Sequence, residues 1–328
     1  MNLMHTFINS PWQLGGLTLP HRLIQGPLAG TSCAPFRVLF NQFTPPAYCV
    51  SEMISAKDVL HRHSTTSRYL YRASEEPLLA YQISGHEPQV LANAAIYLQE
   101  LGADLIDLNC GCPKQKIRRK GAGSALLETP ELLVDIVQAL RSKIQIPLTV
   151  KIRLQGTPQD LILTQHIAEA GADALIIHGR RWTDDYDVAC DWEQIARIKQ
   201  QAHIPVIANG DICHRADLEH LVTETGCDAY MISRGGSGRP WLYQELLEQR
   251  QVAVDSNQLV TLFMSHLTAL AALEDEYKAV LQSKSLVRYY FNHVINQDQL
   301  RQFYQLSSLD TIYQFLGAAI VSSSCLLS

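Results

Sequence analysis

The feature of this sequence that most constrains its fold is a series of eight short apolar runs, each ending in a turn. The runs occupy residues 22–30, 47–53, 78–85, 104–111, 147–153, 173–180, 204–211 and 228–236, and helix-like segments separate them. They are continuously apolar rather than alternating, which is typical of parallel strands covered on both faces. Eight strand-then-helix units that close on themselves predict an α/β fold, a (β/α)8 TIM barrel.

The connections between the runs support this interpretation. Gly102, Gly171 and Gly226 each end a helix-like segment one residue before the Ala-Asp or Cys-Asp pair that opens the next run, which is where a helix C-cap glycine stands. An open doubly wound sheet is the alternative, but it seldom uses eight such even units, and no GxGxxG follows the first run. The barrel is therefore the favoured architecture.

Two further segments flank the predicted barrel. The stretch "WQLGGLTLPHR" (12–22) predicts a small hairpin across the barrel bottom. From about residue 246 the strand pattern disappears and three helix-like segments follow. We therefore divide the chain into a catalytic barrel, residues 1–245, and a small all-helical C-terminal domain, residues 246–328.

Composition narrows the classes of protein that the chain can represent. With 328 residues and 47% hydrophobic residues, it can bury a large core. No apolar run approaches the length of a membrane span, and the first residues do not resemble a signal peptide, so we expect a cytoplasmic protein without a membrane partner. A monomer is also expected. The eight cysteines are widely scattered and are expected to be reduced thiols. A net charge of −5 argues against indiscriminate coating of nucleic acid, so a nucleic-acid partner requires a local basic patch.

Polar residues stand at the carboxyl ends of the predicted strands, where barrel enzymes place their chemistry. Each would cost a few kcal/mol if it were buried without a partner. A shared ligand rich in hydrogen-bond acceptors explains all of them, whereas capping of turns and pairing with a buried carboxylate are the alternatives for any single one. These residues are Gln82, Asn109, Lys151, Arg153, His178, Asn209, Asp211 and Arg234.

The loops after the seventh and eighth runs, "NGDI" (209–212) and "SRGGSG" (233–238), are rich in glycine and precede helices. Backbone amides at this place in a barrel form a phosphate site. With Lys151 and His178 on nearby strands, they indicate a phosphorylated cofactor with a polar ring system. Flavin mononucleotide (FMN) fits well, because a cation beside the flavin pyrimidine stabilises its reduced anion.

Two cysteines in "DLNCGCPKQKIRRKGAGSALL" (107–127) require separate interpretations. A metal site is not expected, because no second Cys or His pair lies at ligand spacing. Cys110 is still in the strand and is expected to be a packed core thiol. Cys112 lies in the loop over the barrel mouth, where the following cations favour a thiol that gives or takes a proton, although a plain loop cysteine beside a solvated charge run is the alternative. Those cations are Lys114, Lys116, Arg118, Arg119 and Lys120.

With these motifs in view, the chain resembles the tRNA-dihydrouridine synthases, FMN-dependent enzymes that reduce a uracil C5=C6 bond in tRNA. The matching motifs stand in the family's order and cover almost the whole barrel. They are "GPLAG" (26–30), "SEM" (51–53), "YQISG" (81–85), "DLNCGCP" (107–113), "RRKGAGSALL" (118–127), "VKIR" (150–153), "IIHGR" (176–180), "IPVIANGDI" (204–212) and "GRPW" (238–241).

This resemblance implies roles for individual residues. Cys112 would be the general acid that protonates uracil C5 while reduced flavin delivers hydride to C6, and Asn109 would contact the uracil. NADPH would reduce the flavin, and the helical domain would form a second tRNA-binding surface. The cations after Cys112, together with Arg153, would contact tRNA beside a flipped uridine. The FMN ligands would be Pro27, Leu28, Ala29, Gln82, Lys151, His178, Asn209, Gly210, Asp211, Arg234 and Gly235.

Some positions depart from the family pattern, and other functions stay open. Leu28 stands where Met is usual, Arg118 where Asn is frequent, and Ser233 where Gly is frequent. The helical domain is not basic, with five lysines and arginines against eight acids in residues 245–328. The alternatives are an FMN barrel that reduces a free pyrimidine, a Schiff-base lyase that uses Lys151, and an RNA-binding scaffold without turnover.

Overall fold

The chain begins with a helix and a hairpin that close one end of the molecule. The structure, a computed structural model, describes residues 3–61, 63–76, 78–292 and 294–324. Helix α1 (Leu3–Ile8) was not predicted, whereas the hairpin of β1 (Trp12–Leu14) and β2 (Leu17–Leu19) confirms the prediction for that stretch. The hairpin side chains pack against the amino-terminal ends of the barrel strands, and the hairpin therefore covers the barrel bottom.

Eight strand positions form a closed parallel barrel, as the apolar runs predict. The barrel closes because the strand of the first run pairs with those of both the second and the eighth. The strands are β3 (Leu23–Gln25), β4 (Cys49–Val50) followed by β5 (Ile54–Ser55), β6 (Leu79–Ser84), β7 (Leu105–Cys110), β8 (Leu148–Leu154), β9 (Ala174–Arg181), β10 (Val206–Asn209) and β11 (Ala229–Ile232).

The second run, residues 47–53, contains only β4, and β5 begins just after it; both strands pair with β6. Between them the Ser51 hydroxyl accepts a hydrogen bond from the Gln82 amide at 3.0 Å. A side-chain oxygen thus satisfies a backbone donor of β6 at this interruption. The interruption places Glu52 beside the loop that follows β3.

Helices surround the barrel, and the longer ones bury an apolar face. Leu133, Ile136, Val137 and Leu140 of α6 illustrate the spacing, which places them on a single face against the strands. The helices are α2 (Ala34–Arg37), α3 (Ala56–His61), α4 (Pro88–Glu100), α5 (Gln115–Arg118), α6 (Pro130–Arg141), α7 (Gln159–Glu169), α8 (Trp192–Gln201), α9 (Arg215–Thr225) and α10 (Leu242–Glu248). Gly226 ends α9 with a φ of 56°, as the C-cap interpretation predicts.

The C-terminal region is helical, as predicted, and has its own apolar core. It comprises α11 (Ser256–Leu273), α12 (Glu276–Tyr290), α13 (Gln297–Phe303) and α14 (Leu309–Ser324). Phe263, Val287 and Phe303 are buried in this core, together with Cys33 and Leu39 from the barrel side. Residue 245 lies inside α10, whose Leu246 and Leu247 still pack in the barrel core. No helix in the described part of the chain is long and apolar enough to cross a membrane.

Candidate active site

A buried chain of hydrogen bonds connects polar side chains of three neighbouring strands. Asp107 of β7 is fully buried and accepts hydrogen bonds from Gln82 Nε2 at 2.6 Å and from Thr149 Oγ1 at 2.6 Å. The Gln82 Oε1 atom in turn accepts from Asn109 Nδ2 at 2.8 Å. These bonds fix which way both amides point, so Asn109 presents its oxygen to the loop beyond the strand.

Asp107 was not among the predicted site residues, although it stands in the same motif as Cys112. Burial raises the pKa of its carboxyl to about 6, and the hydrogen bonds from Thr149 and Gln82 and the charge of Lys151 oppose that rise. The sequence signal was available: an acid two residues inward of a strand-end amide lies on the same face of the strand. That Asp107 orients Gln82, and Asn109 through it, follows only from the contacts in the folded chain.

Lys151 lies on β8, among the carboxyl ends of the barrel strands. Its Nζ atom donates to Asn209 Oδ1 at 2.8 Å, and Asn209 Nδ2 donates to the Met231 carbonyl oxygen at 2.8 Å and to Ser233 Oγ at 3.3 Å. Burial lowers the pKa of the Lys151 ammonium to about 8; the charge of Asp107 opposes this, and that of Arg153 adds to it. Lys151 and Asn209 therefore form one unit that faces the site.

His178 of β9 provides the clearest sign that these strand ends suit a bound ligand. Its Nδ1 atom is buried and has no hydrogen-bond partner among the residues that the structure describes. Burial lowers the pKa of this imidazole to about 2, with Lys151 and Arg153 contributing in the same direction, so the ring is neutral. A buried nitrogen without a partner is costly, and a bound molecule with a complementary polar atom would satisfy it.

The Cys112 loop is held from two sides. Asn109 Oδ1 accepts hydrogen bonds from the backbone amides of Cys112, at 3.0 Å, and Gly111, at 3.3 Å. On the other side, the amide and the hydroxyl of Ser124 donate to the Cys112 carbonyl oxygen at 3.1 and 3.0 Å. Cys112 is partly exposed, whereas Cys110 is fully buried, with its pKa raised well above its usual value by burial. The prediction that Cys110 is a core thiol is confirmed.

The five cations after Cys112 divide into two groups. Arg118 is half-buried: its guanidinium pairs with Glu128 at 2.6 Å, donates to Ser124 Oγ at 3.0 Å and lies 3.6 Å from the centre of the Trp182 ring. The other four side chains are exposed and make no hydrogen bond or ion pair with the described residues; these are Lys114, Lys116, Arg119 and Lys120. Arg118 therefore braces the loop, while the others are available to an anionic partner.

A group of one tyrosine and three arginines lines the mouth near Cys112; Arg153 and Arg234 were predicted site residues, whereas Tyr186 and Arg180 were not. The ring of Tyr186, which is 60% exposed, has the guanidinium carbons of Arg234, Arg180 and Arg153 at 4.0, 5.8 and 5.9 Å from its centre. The predicted residue Arg153 is buried and donates to the Arg181 carbonyl oxygen at 2.9 Å. Aromatic residues of a long loop gave no periodic signal that sequence reasoning could use.

The loops after β10 and β11 lie together, as the phosphate-site interpretation requires. Asp211 has a φ of 52° and accepts from Arg180 Nη2 at 2.7 Å, with Arg234 Nη2 at 3.8 Å. Gly210 follows the last residue of β10, and Gly235 lies in a short 3-10 turn, residues Arg234–Gly236. The remaining Nη1 of Arg180 is buried and, within the described ranges, unpartnered, so it is a second donor at this place.

The loop after β3 carries the remaining predicted cofactor residues, Pro27, Leu28 and Ala29. The Leu28 amide donates to Ser32 Oγ at 2.9 Å, and the Gly30 amide donates to Glu52 Oε2 at 2.7 Å. Leu28 is partly buried and packs against the barrel core. The structure thus brings all three around the same mouth as Gln82 and Lys151.

Comparisons with known proteins agree with this architecture and extend it. Among solved structures, an old yellow enzyme homologue from Zymomonas mobilis has a TM-score of 0.54 at 12% identity, covering 76% of this chain and 94% of that chain. Morphinone reductase in complex with tetrahydroNAD has a TM-score of 0.53 at 12% identity, covering 75% and 92%. At this identity the likeness concerns the fold.

Comparison with related sequences identifies the family, which the structural likeness alone does not. A tRNA-dihydrouridine synthase B of Shewanella oneidensis is 33% identical over 89% of this chain and 91% of its own length. Another of Pseudomonas aeruginosa is 35% identical, covering 91% and 92%. The family model described as "Dihydrouridine synthase (Dus)" matches residues 24–320. From this match over most of its length, we conclude that the chain belongs to the dihydrouridine synthase family of oxidoreductases.

Proposed function

We propose that this protein reduces the C5=C6 bond of specific D-loop uridines in tRNA to 5,6-dihydrouridine. The observation that carries the proposal is the Cys112 loop, which Asn109 and Ser124 hold at the barrel mouth with four exposed cations beside it. The names of the relatives, tRNA-dihydrouridine synthases, supply the substrate class. A thiol next to a cationic rim suits a reaction on a base within a polyanion.

FMN is the cofactor that the strand ends would hold. The unpartnered Nδ1 of His178 and the Lys151 ammonium would contact the flavin ring, with Gln82 beside them, and the loop of Pro27, Leu28 and Ala29 would line it. The donors around Asp211, including Arg234, would meet the ribityl chain and phosphate, with Asn209, Gly210 and Gly235 completing that site. When bound and reduced by NADPH, FMN supplies hydride to uracil C6.

Cys112 would supply the proton. As hydride adds to C6, negative charge develops at C5, and a thiol on that side of the uracil neutralises it. The double hold on the Cys112 backbone, from Asn109 and Ser124, would fix the position of the sulfur relative to the base. Asn109 would also contact the uracil directly.

The tRNA would lie over the mouth with its target base flipped inward. Lys114, Lys116, Arg119 and Lys120 would contact phosphates, and Arg153 and Arg118 would act closer to the base. The helical region, residues 246–328, would form a second contact surface. Its position beside the loop after β3 would then orient the tRNA relative to the flavin.

The test is reduction of an unmodified tRNA transcript by purified protein with FMN and NADPH. We expect dihydrouridine to form with wild type and at least about a hundredfold more slowly with Cys112→Ala, since general acids contribute roughly 10²–10⁴ in rate. Cys110→Ala is the matched control, because that thiol is buried in the core two residues away. Wild-type rates in Cys112→Ala would overturn the acid assignment.

The alternatives give different results in the same preparation. A reductase of free pyrimidines would oxidise NADPH with uracil and leave the transcript unchanged. A Schiff-base lyase would be colourless and trapped by borohydride through Lys151. A scaffold without turnover would bind tRNA equally well with and without flavin.

A further inference from the structure

A buried carboxylate connects the loop after β3 to a distant arginine. Glu52, between β4 and β5, is only 3% exposed. Its Oε2 atom accepts from the Gly30 amide at 2.7 Å, and its Oε1 atom accepts from Arg68 Nη2 at 2.5 Å and Nε at 3.1 Å. Two guanidinium nitrogens of Arg68 thus donate to one carboxylate oxygen of Glu52, and the other oxygen accepts from the Gly30 backbone amide.

The same arginine extends the connection into the helical region. Arg68 Nη1 donates to Glu274 Oε2 at 2.6 Å, and Glu274 lies immediately after the end of α11. Gln282 of α12 donates to the same Glu274 oxygen at 3.0 Å. The Arg68 and Glu274 side chains are each 12% exposed, so solvent screens this contact much less than a surface pair.

The Gly30 end of this connection lies in a turn that is also closed locally, since the Thr31 and Ser32 amides donate to the Leu28 carbonyl oxygen at 3.0 and 2.9 Å. Gly30 is exposed, and its amide makes no hydrogen bond within the described ranges except the one to Glu52. The geometry at Gly30 therefore also depends on where the Glu52 carboxylate is held. Arg68 determines that position, and Glu274 in turn fixes Arg68.

We propose that Glu52, Arg68 and Glu274 form a strut through which the helical region positions the loop of Pro27 to Gly30. This inference rests on the proposed function, in which that loop lines the flavin. Arg68 and Glu274 are then positioning residues for FMN. Because coupling between two binding sites is reciprocal, tRNA contact with the helical region tightens FMN, and FMN tightens tRNA.

Two measurements on full-length protein test the strut. Glu274→Ala removes the outer acceptor, and Glu274→Gln restores an uncharged one. Asp298→Asn is the control, because Arg301 is the one ion-pair partner that this exposed acid of the same region has among the described residues. Hydrogen exchange of a peptide covering residues 27–32 is measured first, without flavin. We expect exchange to be at least roughly threefold faster in Glu274→Ala, intermediate in Glu274→Gln and unchanged in Asp298→Asn.

The second measurement is FMN affinity from the quenching of flavin fluorescence, with and without an unmodified tRNA transcript. We expect the Kd of Glu274→Ala to rise roughly fivefold, and the tightening by tRNA to be lost. Thermal unfolding distinguishes the strut from a purely structural role of Glu274. A purely structural role would lower the Tm of Glu274→Ala and leave both its Kd for FMN and the exchange of residues 27–32 unchanged.

The outcomes distinguish this inference from the proposed function. Unchanged exchange of residues 27–32 in Glu274→Ala overturns the strut whether or not the protein binds flavin. Wild-type FMN affinity in that variant overturns it as well. Failure of wild-type protein to bind FMN would instead contradict the proposed function.

Discussion

The packing behind Cys112 gives a sharp prediction about Gly123. This glycine has a φ of 63°, and a Cβ atom there would lie 2.7 Å from the Cys112 carbonyl oxygen and 3.1 Å from its Cβ. Gly123→Ala therefore combines a disfavoured backbone conformation with a collision on the proposed acid. Gly226→Ala is the matched control, because Gly226 has a φ of 56° and nothing within 4 Å of its added Cβ.

The expected losses of stability in Gly123→Ala and Gly226→Ala differ only by the cost of the collision. An L-residue in the left-handed region costs about 1–2 kcal/mol, which both variants incur. Overpacking adds typically 1–3 kcal/mol, so Gly123→Ala is expected to lose about 2–5 kcal/mol of unfolding free energy. Relief of the clash moves the Cys112 backbone by a few tenths of an ångström. Since a misplacement of about 1 Å costs roughly a hundredfold in rate, we expect a loss of about tenfold.

Urea unfolding of both variants, followed by the rate of dihydrouridine formation, gives the comparison. Gly226→Ala should lose stability and keep wild-type kcat at 25 °C. Gly123→Ala should lose more stability and also activity, with its FMN affinity unchanged. Equal stability losses and equal rates for the two variants would refute the claim that Gly123 sets the position of Cys112.

Three further predictions concern the charges of the site. Because the Asp107 pKa is raised from 3.8 to about 6, mainly by burial, the folded state binds this proton more tightly, and stability is lost as pH rises from 3.8 through 6. Asp107→Asn removes that loss, so its stability relative to wild type should rise by about 2 kcal/mol between pH 4 and 7 in urea unfolding; a constant difference would contradict the raised pKa. Lys116→Ala should lower the salt dependence of tRNA binding by about one unit of log-log slope without changing Tm. Arg118→Ala should instead lower stability by about 1–2 kcal/mol, because it loses Glu128 and Trp182; equal Tm values would show that Arg118 does not brace the loop.

The barrel could be predicted because its signal is local. Each apolar run is long enough to specify a buried strand, and Gly226 stands where a helix must end. Helix α1 escaped prediction because it is only six residues long: Met4, Phe7 and Ile8 have helical spacing and pack on the core, but a periodic pattern needs a longer window to be recognised. The N-terminal segment is held by contacts distant in sequence, such as His5 Nε2 with the Leu247 carbonyl oxygen at 2.8 Å.

The sequence indicated which polar residues lie at the strand ends, but not how they contact one another. Strand-end residues such as Gln82, Lys151 and His178 were identifiable because a barrel places all strand ends at one mouth. The role of Asp107 depends on partners on two other strands, and the Arg68 to Glu274 pair joins residues 206 positions apart. No local pattern encodes such pairs, so only the folded chain reveals them.

The central claim is that this protein makes dihydrouridine in tRNA with Cys112 as the acid. The most direct measurement is position-resolved mapping of dihydrouridine in tRNA from cells lacking this gene, before and after incubation with purified protein and NADPH. We predict that one or more D-loop uridines become reduced with wild type and hardly with Cys112→Ala. An unchanged map, from a yellow protein that oxidises NADPH, would contradict the claim and indicate a flavin reductase with another substrate.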